Sequence, residues 1–180
     1  RIKDERDNPS PITTKLRMLR ESKAKTKHHL AESYFRKEKN KIALMQEFKE
    51  NEYYCSSALA ATVLERETKS RISNEREINL IAEPEEGSFT ILLGTDASFD
   101  QQIDLFKSAV EKLSKASAYG YNELLIDNKE WWHKYWKRSF VHLHSNDNAA
   151  DRVEKNYTYF LYLMAASSRG DYPPNYGGMI

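Results

Sequence analysis

The 180-residue sequence has few of the residues that mark several common functional classes. Its single cysteine, Cys55, excludes a disulfide within the chain, and its place in an apolar and small-residue run favours a buried thiol over a nucleophile. The glycines at positions 94, 120 and 170 are isolated, so no Gly-rich phosphate loop is present. A disulfide scaffold and a phosphate-loop nucleotide site are therefore not expected.

Long apolar runs and a strong charge of one sign are also missing. No stretch approaches the roughly 18 apolar residues of a membrane-spanning helix. The formal net charge is +1, and although residues 1–50 are richer in Lys and Arg than in Asp and Glu, they lack interleaved aromatics and zinc-finger spacing. We therefore predict no membrane span and no nucleic-acid partner.

The histidines offer one arrangement typical of a metal site. His142 and His144 form an H-x-H pair whose side chains would share one face of a strand, as zinc ligands do. No cysteine, third histidine or carboxylate joins them at a fixed spacing, so we interpret them as solvent-facing. The sequence thus predicts no metal site and no cofactor.

Candidate strands come first along the chain. Apolar and β-branched residues predict strands at 53–64, 78–82 and 88–94, with a turn at 83–87. Residues 1–50 permit no assignment. A short helix at 16–20 and a helical turn or loop at 31–35 are the alternatives there.

Three helices are predicted to follow the strands. Apolar residues spaced three and four apart indicate a helix at 99–119 that ends at Gly120. A second helix, capped by Asp127 or Asn128, runs to near Phe140. Residues 141–144 form a short strand or an extended segment, and a third helix spans 149–168. The third helix is expected to bury Val153, Tyr157, Phe160, Leu161 and Met164. Strands followed by helices indicate an α+β fold class.

The second helix holds all three tryptophans of the chain. Trp131 and Tyr135 share one side of this helix, and Trp132 and Trp136 share another, because residues four apart lie on one face. We interpret these aromatics as core packing, with a sugar-stacking surface as the alternative.

The two ends of the sequence are unusual for a complete domain. The chain starts at Arg1 without an initiator methionine, and it stops at Ile180 just after a Gly-Gly pair. We interpret it as a piece of a longer polypeptide. A small complete domain with trimmed ends is the alternative.

Three segments carry a resemblance to a known family. They are WWHKYWKRSF at 131–140, YTYFLYLMAASSRG at 157–170 and PPNYGGMI at 173–180. They are similar to the W-W-x-x-F-W-x-R-S element, the Y-x-L-x-x-Y-x-x-A-x-x-x-R-G helix and the P-x-N-L-x-G-x-W loop of bacterial six-hairpin glycosidases. The resemblance covers about residues 88–180 and extends to the family 95 glycoside hydrolases (alpha-L-fucosidases and relatives) and related large bacterial proteins. Tyr176-Gly177-Gly178 departs from the Leu-x-Gly of family 95.

The resemblance implies a domain organisation and an activity. Residues 1–97 would be the C-terminal part of an antiparallel β-sandwich, 98–127 a linker helix, and 128–180 the first helices of an (α/α)6 barrel. The chain would then be a fragment of a periplasmic or secreted bacterial glycoside hydrolase that cleaves a poly- or oligosaccharide by acid/base catalysis. The family's catalytic carboxylate lies beyond Ile180, so no catalytic residue is assigned here. Asn175 and Tyr176 are the expected substrate contacts.

Two other functions remain open. The chain is alternatively part of a non-catalytic carbohydrate-binding or structural protein of the same architecture, or a small α+β interaction module with aromatic helices. Two carboxyl groups flanking a sugar would separate the first possibility from an enzyme, but tertiary geometry rather than sequence spacing sets such a pair.

Overall fold

The computed structural model describes residues 1–169, which form an α+β fold with nine strands in two antiparallel sheets and three helices. The chain divides into two compact units, residues 1–125 and the residues from 126 onward, and the division falls within the second helix. The strands are β1 (Ile2–Asp4), β2 (Ile12–Arg17), β3 (Lys23–Lys25), β4 (His29–Glu38), β5 (Lys41–Glu50), β6 (Tyr53–Leu64), β7 (Thr68–Asn74), β8 (Glu77–Ala82) and β9 (Gly87–Ser98). The helices are α1 (Leu105–Tyr119), α2 (Tyr121–Trp136) and α3 (Ala149–Ser167).

The first unit contains all of these strands, arranged in two sheets. The larger sheet has the order β1-β9-β6-β5-β4-β3, and the smaller has the order β2-β8-β7. Both outer strands of the larger sheet are only three residues long, and one of them, β3, presents Lys23 and Lys25. The remaining strands of that sheet are ten to twelve residues long, so most of its area is built from β4, β5, β6 and β9.

One face of the larger sheet, the sandwich face, packs against the smaller sheet. Successive side chains of a strand point to opposite faces, so only alternate residues of β5, β6 and β9 reach this core. The core is formed by Leu16, Ile42, Ala61, Val63, Ile78, Leu80, Ala82 and Phe89. Burial of these side chains joins the two sheets, at about 25 cal/mol per Å² of apolar surface removed from water.

The opposite face of the larger sheet, the helix face, packs against α1. Ala43, Met45, Ala58 and Ala60 of the sheet meet Leu105, Phe106, Ala109 and Leu113 of the helix in a second core. The small alanines of β6 allow the helix to approach closely. At Gly94 of β9 the approach is closest, because a Cβ atom there would lie 3.1 Å from Leu113 Cγ and 3.2 Å from the Ala109 carbonyl oxygen.

Residues 1–50 form five strands, which corrects the two alternatives considered for them. Residues 16–20 are not helical, since β2 runs to Arg17 and pairs with β8, and residues 31–35 lie within β4. β5, for which no assignment was made, packs on both faces. Ile42 and Ala43 are both fully buried, so the alternation that marks a strand is lost there. Of the four later strands, β6, β8 and β9 were predicted, although β9 continues to Ser98, and β7 was missed.

The helices begin at places other than those predicted. α1 starts at Leu105 instead of residue 99, because Asp104 is its N-cap and accepts a hydrogen bond from the Lys107 backbone N–H. α2 starts at Tyr121 directly after Gly120, whose carbonyl accepts the Leu124 N–H, so the predicted start at 127 or 128 is wrong.

The ends of the later elements also differ in part from the predictions. α2 ends at Trp136, short of the predicted end near residue 140, and residues 141–144 form no strand. α3 was predicted within one residue. The thiol of Cys55, expected to be buried, is only partly so. None of the helices within residues 1–169 combines the length and hydropathy needed to cross a bilayer.

Candidate functional site

The second unit contains a dense group of aromatic side chains, here called the aromatic cluster: Trp131, Trp132, Tyr135 and Trp136 of α2 and Tyr162 of α3. The rings of Trp131 and Tyr135 stack with centroids 5.5 Å apart, and those of Trp132 and Trp136 stack at 6.0 Å. These are the i, i+4 pairs expected from the helical period. The cluster thus consists of two stacked pairs on α2 with edge contacts between them.

Two contacts fasten the aromatic cluster to α3. The Trp132 ring stacks on Tyr162 with centroids 5.2 Å apart, and the Tyr135 hydroxyl donates a hydrogen bond of 3.0 Å to the Leu161 carbonyl oxygen. The hydroxyl is partly buried, so this bond satisfies a group that would otherwise be costly to desolvate. The two contacts fix the orientation of the rings against α3.

Arg169 adds a cation to the same cluster. Its guanidinium carbon lies 3.6 Å from the centroid of the Trp131 ring, while its Nε donates a hydrogen bond of 3.0 Å to the Ala165 carbonyl oxygen. A guanidinium over an indole face is an attractive cation–π contact. One face of Trp131 is therefore covered by charge, and a ligand has to use other rings.

The two helices bury almost none of their apolar side chains fully. α2 has no buried residue, and α3 has one, Ala165. The face of α3 that was expected to be buried is therefore not buried in this chain, and Phe160, for example, is 47% exposed. Trp131, which was interpreted as core packing, is likewise not buried and is 37% exposed.

An open groove of about 740 Å³, here called the aromatic groove, lies beside this cluster. Three aromatic residues line it, Trp136 of α2 and Tyr159 and Tyr162 of α3. Its polar lining comes from α3 and consists of Asp151, Glu154, Lys155, Asn156 and Thr158. Aromatic rings beside hydrogen-bonding groups of both kinds are the usual composition of a small-molecule site.

The two carboxylates of the aromatic groove also hold the segment that precedes α3. Asp151 accepts hydrogen bonds from the Ser145 backbone N–H at 3.2 Å and pairs with His144 Nδ1 at 3.1 Å. Glu154 accepts a hydrogen bond of 2.5 Å from the Leu143 backbone N–H. The hydrogen bond with His144, followed by that from Ser145, lowers the pKa of Asp151. Asp151 is thus an anion at neutral pH that can accept a hydrogen bond but cannot serve as a proton donor.

Several residues singled out by the sequence fall elsewhere. Asn175 and Tyr176, the expected substrate contacts, lie outside the described residues. His144 pairs with Asp151, and within residues 1–169 no group of three or more potential metal ligands comes together. The aromatic groove itself was missed, although the aromatic residues of 157–162 and the nearby polar residues were visible in the sequence.

Known proteins give no further guidance for this groove. Comparisons of the chain with protein-family models, with curated proteins and with solved structures found no match.

Proposed function

We propose that this chain belongs to a protein that recognises and hydrolyses a poly- or oligosaccharide, and that the aromatic groove binds part of the sugar chain. The observation that carries the proposal is the set of open rings, Trp136, Tyr159 and Tyr162, beside the polar groups of α3. A pyranose ring has an apolar C–H face and a hydroxyl edge. The rings suit the apolar face, and the carboxylate, ammonium and amide groups suit the hydroxyls.

The order of the elements supports the glycoside hydrolase interpretation. Two packed antiparallel sheets precede the helices, as in six-hairpin glycosidases, and α2 and α3 carry the two helical segments that resemble that family. In this proposal α2 and α3 are the first helices of an (α/α)6 barrel. The acid and base come from residues outside this sequence, and the protein works in the periplasm or outside the cell.

A non-catalytic carbohydrate-binding protein is the second candidate, and the state of the groove carboxylates favours it. Glycoside hydrolysis needs one carboxyl group that gives up a proton and a second that acts as a base or nucleophile. The lowered pKa of Asp151 removes it as an acid, and Glu154 is engaged by the Leu143 N–H. The two groove carboxylates are thus better suited to bind hydroxyl groups than to act as an acid/base pair.

Oligosaccharide titration of the chain tests the proposed groove. All three tryptophans lie at 131–136, so quenching of tryptophan fluorescence reports on the aromatic cluster alone. We expect a panel of neutral and uronate hexasaccharides to contain at least one that shifts this fluorescence. Loss of one stacking ring, in W136A or Y162A, is expected to weaken the binding about tenfold, which corresponds to about 1.4 kcal/mol.

Y157A is the matched control. Tyr157 also lies on α3 and is 40% exposed, but it does not line the groove. It should bind with the affinity of the unchanged chain. No binding of any hexasaccharide, or equal loss in Y157A and Y162A, would remove the groove from consideration. Release of reducing ends by the 180-residue chain would instead contradict the placement of the acid and base outside it.

A further inference from the structure

The first unit has a larger cleft on the sandwich face of its six-stranded sheet. The smaller sheet covers only part of that face, and the uncovered part adjoins a cleft of about 880 Å³. The segment 17–21, at the end of β2, forms one wall. The floor is formed by side chains of four neighbouring strands, among them Ser33, Gln46, Ser57 and Thr95.

The strand register shows that three of these polar residues form one row, while Thr95 lies opposite Leu59 beside it. Ser33 of β4 lies opposite Gln46 of β5, Gln46 lies opposite Ser57 of β6, and Ser57 lies opposite Ala97 of β9. Residues directly opposite each other in an antiparallel pair point to the same face. No hydrogen bond within residues 1–169 engages the side chains of Ser33, Gln46 or Ser57. Their hydroxyl and amide groups are free to meet a ligand.

A row of rings continues the same face beyond the polar row. Its members are His29 of β4, Phe48 of β5, Tyr53 of β6 and Phe99, which follows β9. Successive ring centroids are 5.9, 6.2 and 5.8 Å apart. Tyr53 is 50% exposed and Phe99 is 48% exposed, so about half of the surface of each residue reaches solvent.

The charged groups of this open surface lie at its margins. His29 Nδ1 lies 3.2 Å from Glu50 Oε1 at the end of the row of rings. Arg17, Arg20 and Glu21 stand at the rim of the cleft, so charges of both signs are present there. A floor of neutral hydroxyl and amide groups beside exposed rings matches a polyhydroxylated ligand better than a charged peptide.

From these observations we propose that the uncovered sandwich face is a second carbohydrate-binding surface that holds an oligosaccharide across β4, β5, β6 and β9. The rings of Tyr53 and Phe99 stack on sugar units, and Ser33, Gln46 and Ser57 bond to hydroxyl groups. The spacing of the rings is comparable to the length of one monosaccharide. The surface is distinct from the aromatic groove of the second unit, and it stands even if that groove binds nothing.

Cys55 provides a reporter inside this surface. It is the only cysteine of the chain, and it lies opposite Phe48 in the β5–β6 register, hence on the same face. Its thiol is only partly buried, so a small uncharged reagent such as iodoacetamide can reach it. An oligosaccharide on the surface should slow its alkylation, whereas binding in the aromatic groove should leave the alkylation rate unchanged.

The experiment measures the rate of Cys55 alkylation with a neutral hexasaccharide (cellohexaose) and with a hexagalacturonate. We expect at least one of them to slow the reaction of the unchanged chain about fivefold or more, with an effect that saturates. The Y53A/F99A double variant should lose this protection. Y34A is the control, because Tyr34 is also a partly exposed tyrosine but lies on the helix face, opposite Met45.

The results separate this surface from the groove and from a folding defect. Protection by the neutral sugar alone assigns the binding to rings and hydroxyls, and protection by the uronate alone assigns it to Arg17 and Arg20; both outcomes support a carbohydrate surface. Unchanged alkylation with both sugars overturns the proposal, and so does equal protection in the Y53A/F99A variant when its circular dichroism and urea midpoint match those of Y34A. Tryptophan fluorescence in the same samples reports the aromatic groove independently.

Discussion

The stability lost when Leu113 is truncated should be partly recovered by a methyl group added at Gly94. Leu113 is 1% exposed in the core between α1 and the larger sheet, so L113A should leave a cavity and cost about 3 kcal/mol of unfolding free energy. G94A alone places a Cβ atom 3.1 Å from Leu113 Cγ and Cδ2 and 3.2 Å from the Ala109 carbonyl oxygen. The crowding should cost about 1–2 kcal/mol, after the gain of about 0.5–1 kcal/mol from replacing a strand glycine.

The double variant decides whether this packing description is right. In G94A/L113A the new methyl group faces the space that the Leu113 side chain has left, so the double variant should be less destabilised than the two single variants together, by about 1 kcal/mol. Urea denaturation followed by far-UV circular dichroism measures this, because the tryptophans lie outside the first unit and do not report on it. L93A, with a 63% exposed side chain one residue away, is the control and should change stability by less than about 0.5 kcal/mol. Additive losses would refute the contact between Gly94 and Leu113.

Three further changes test other contacts. D104A removes the N-cap of α1 and should cost about 1 kcal/mol in the same urea assay, while D104N, which can still cap, should cost less. Y135F deletes the hydrogen bond to the Leu161 carbonyl and should lower the tryptophan-detected unfolding free energy by about 1 kcal/mol; an unchanged midpoint would mean that this bond contributes nothing. The pKa of Asp151 is lowered, mainly by His144, so its stabilising effect is present above its unfolded value of 3.8 and is lost as the pH falls through the lower folded value. In D151N the tryptophan-detected stability should therefore depend less on pH below 3.8. An unchanged pH dependence would contradict the pairing of Asp151 with His144.

Strands β6, β8 and β9 could be predicted because local pattern and burial agree there, whereas β7, with no fully buried residue, gave no such signal. Residues 88–94 alternate or cluster apolar side chains between two turn signals, and β8 buries every second residue, Ile78, Leu80 and Ala82. β4 lacks that signal. Its ten residues include no fully buried side chain, and five of them are charged or histidine, so only its pairing with β5 makes it a strand.

The predicted boundaries between α1 and α2 were wrong for a local reason that is visible in the sequence. Gly120 has φ = 88°, a value that only glycine adopts readily, and it ends α1. Its carbonyl oxygen accepts the hydrogen bond from the Leu124 N–H in the first turn of α2. Because Gly120 serves both helices, α2 begins at Tyr121 instead of near the predicted caps Asp127 or Asn128. The candidate site was predicted only in its residue types, because the groove depends on how Trp136 and Tyr162 meet across two helices, and sequence spacing within one helix does not give that distance.

The short outer strands of the larger sheet have a consequence for how the chain behaves when it is concentrated. Exposed strand edges invite another copy to extend the hydrogen-bonded ladder, and fibrils grow in that way. Here β1 and β3 each pair with only three residues of their neighbours, and β3 places Lys23 and Lys25 where an incoming copy would bring the same two cations. Replacing both lysines with threonine would remove this charge repulsion. The variant is then expected to form thioflavin-positive aggregates sooner than the unchanged chain.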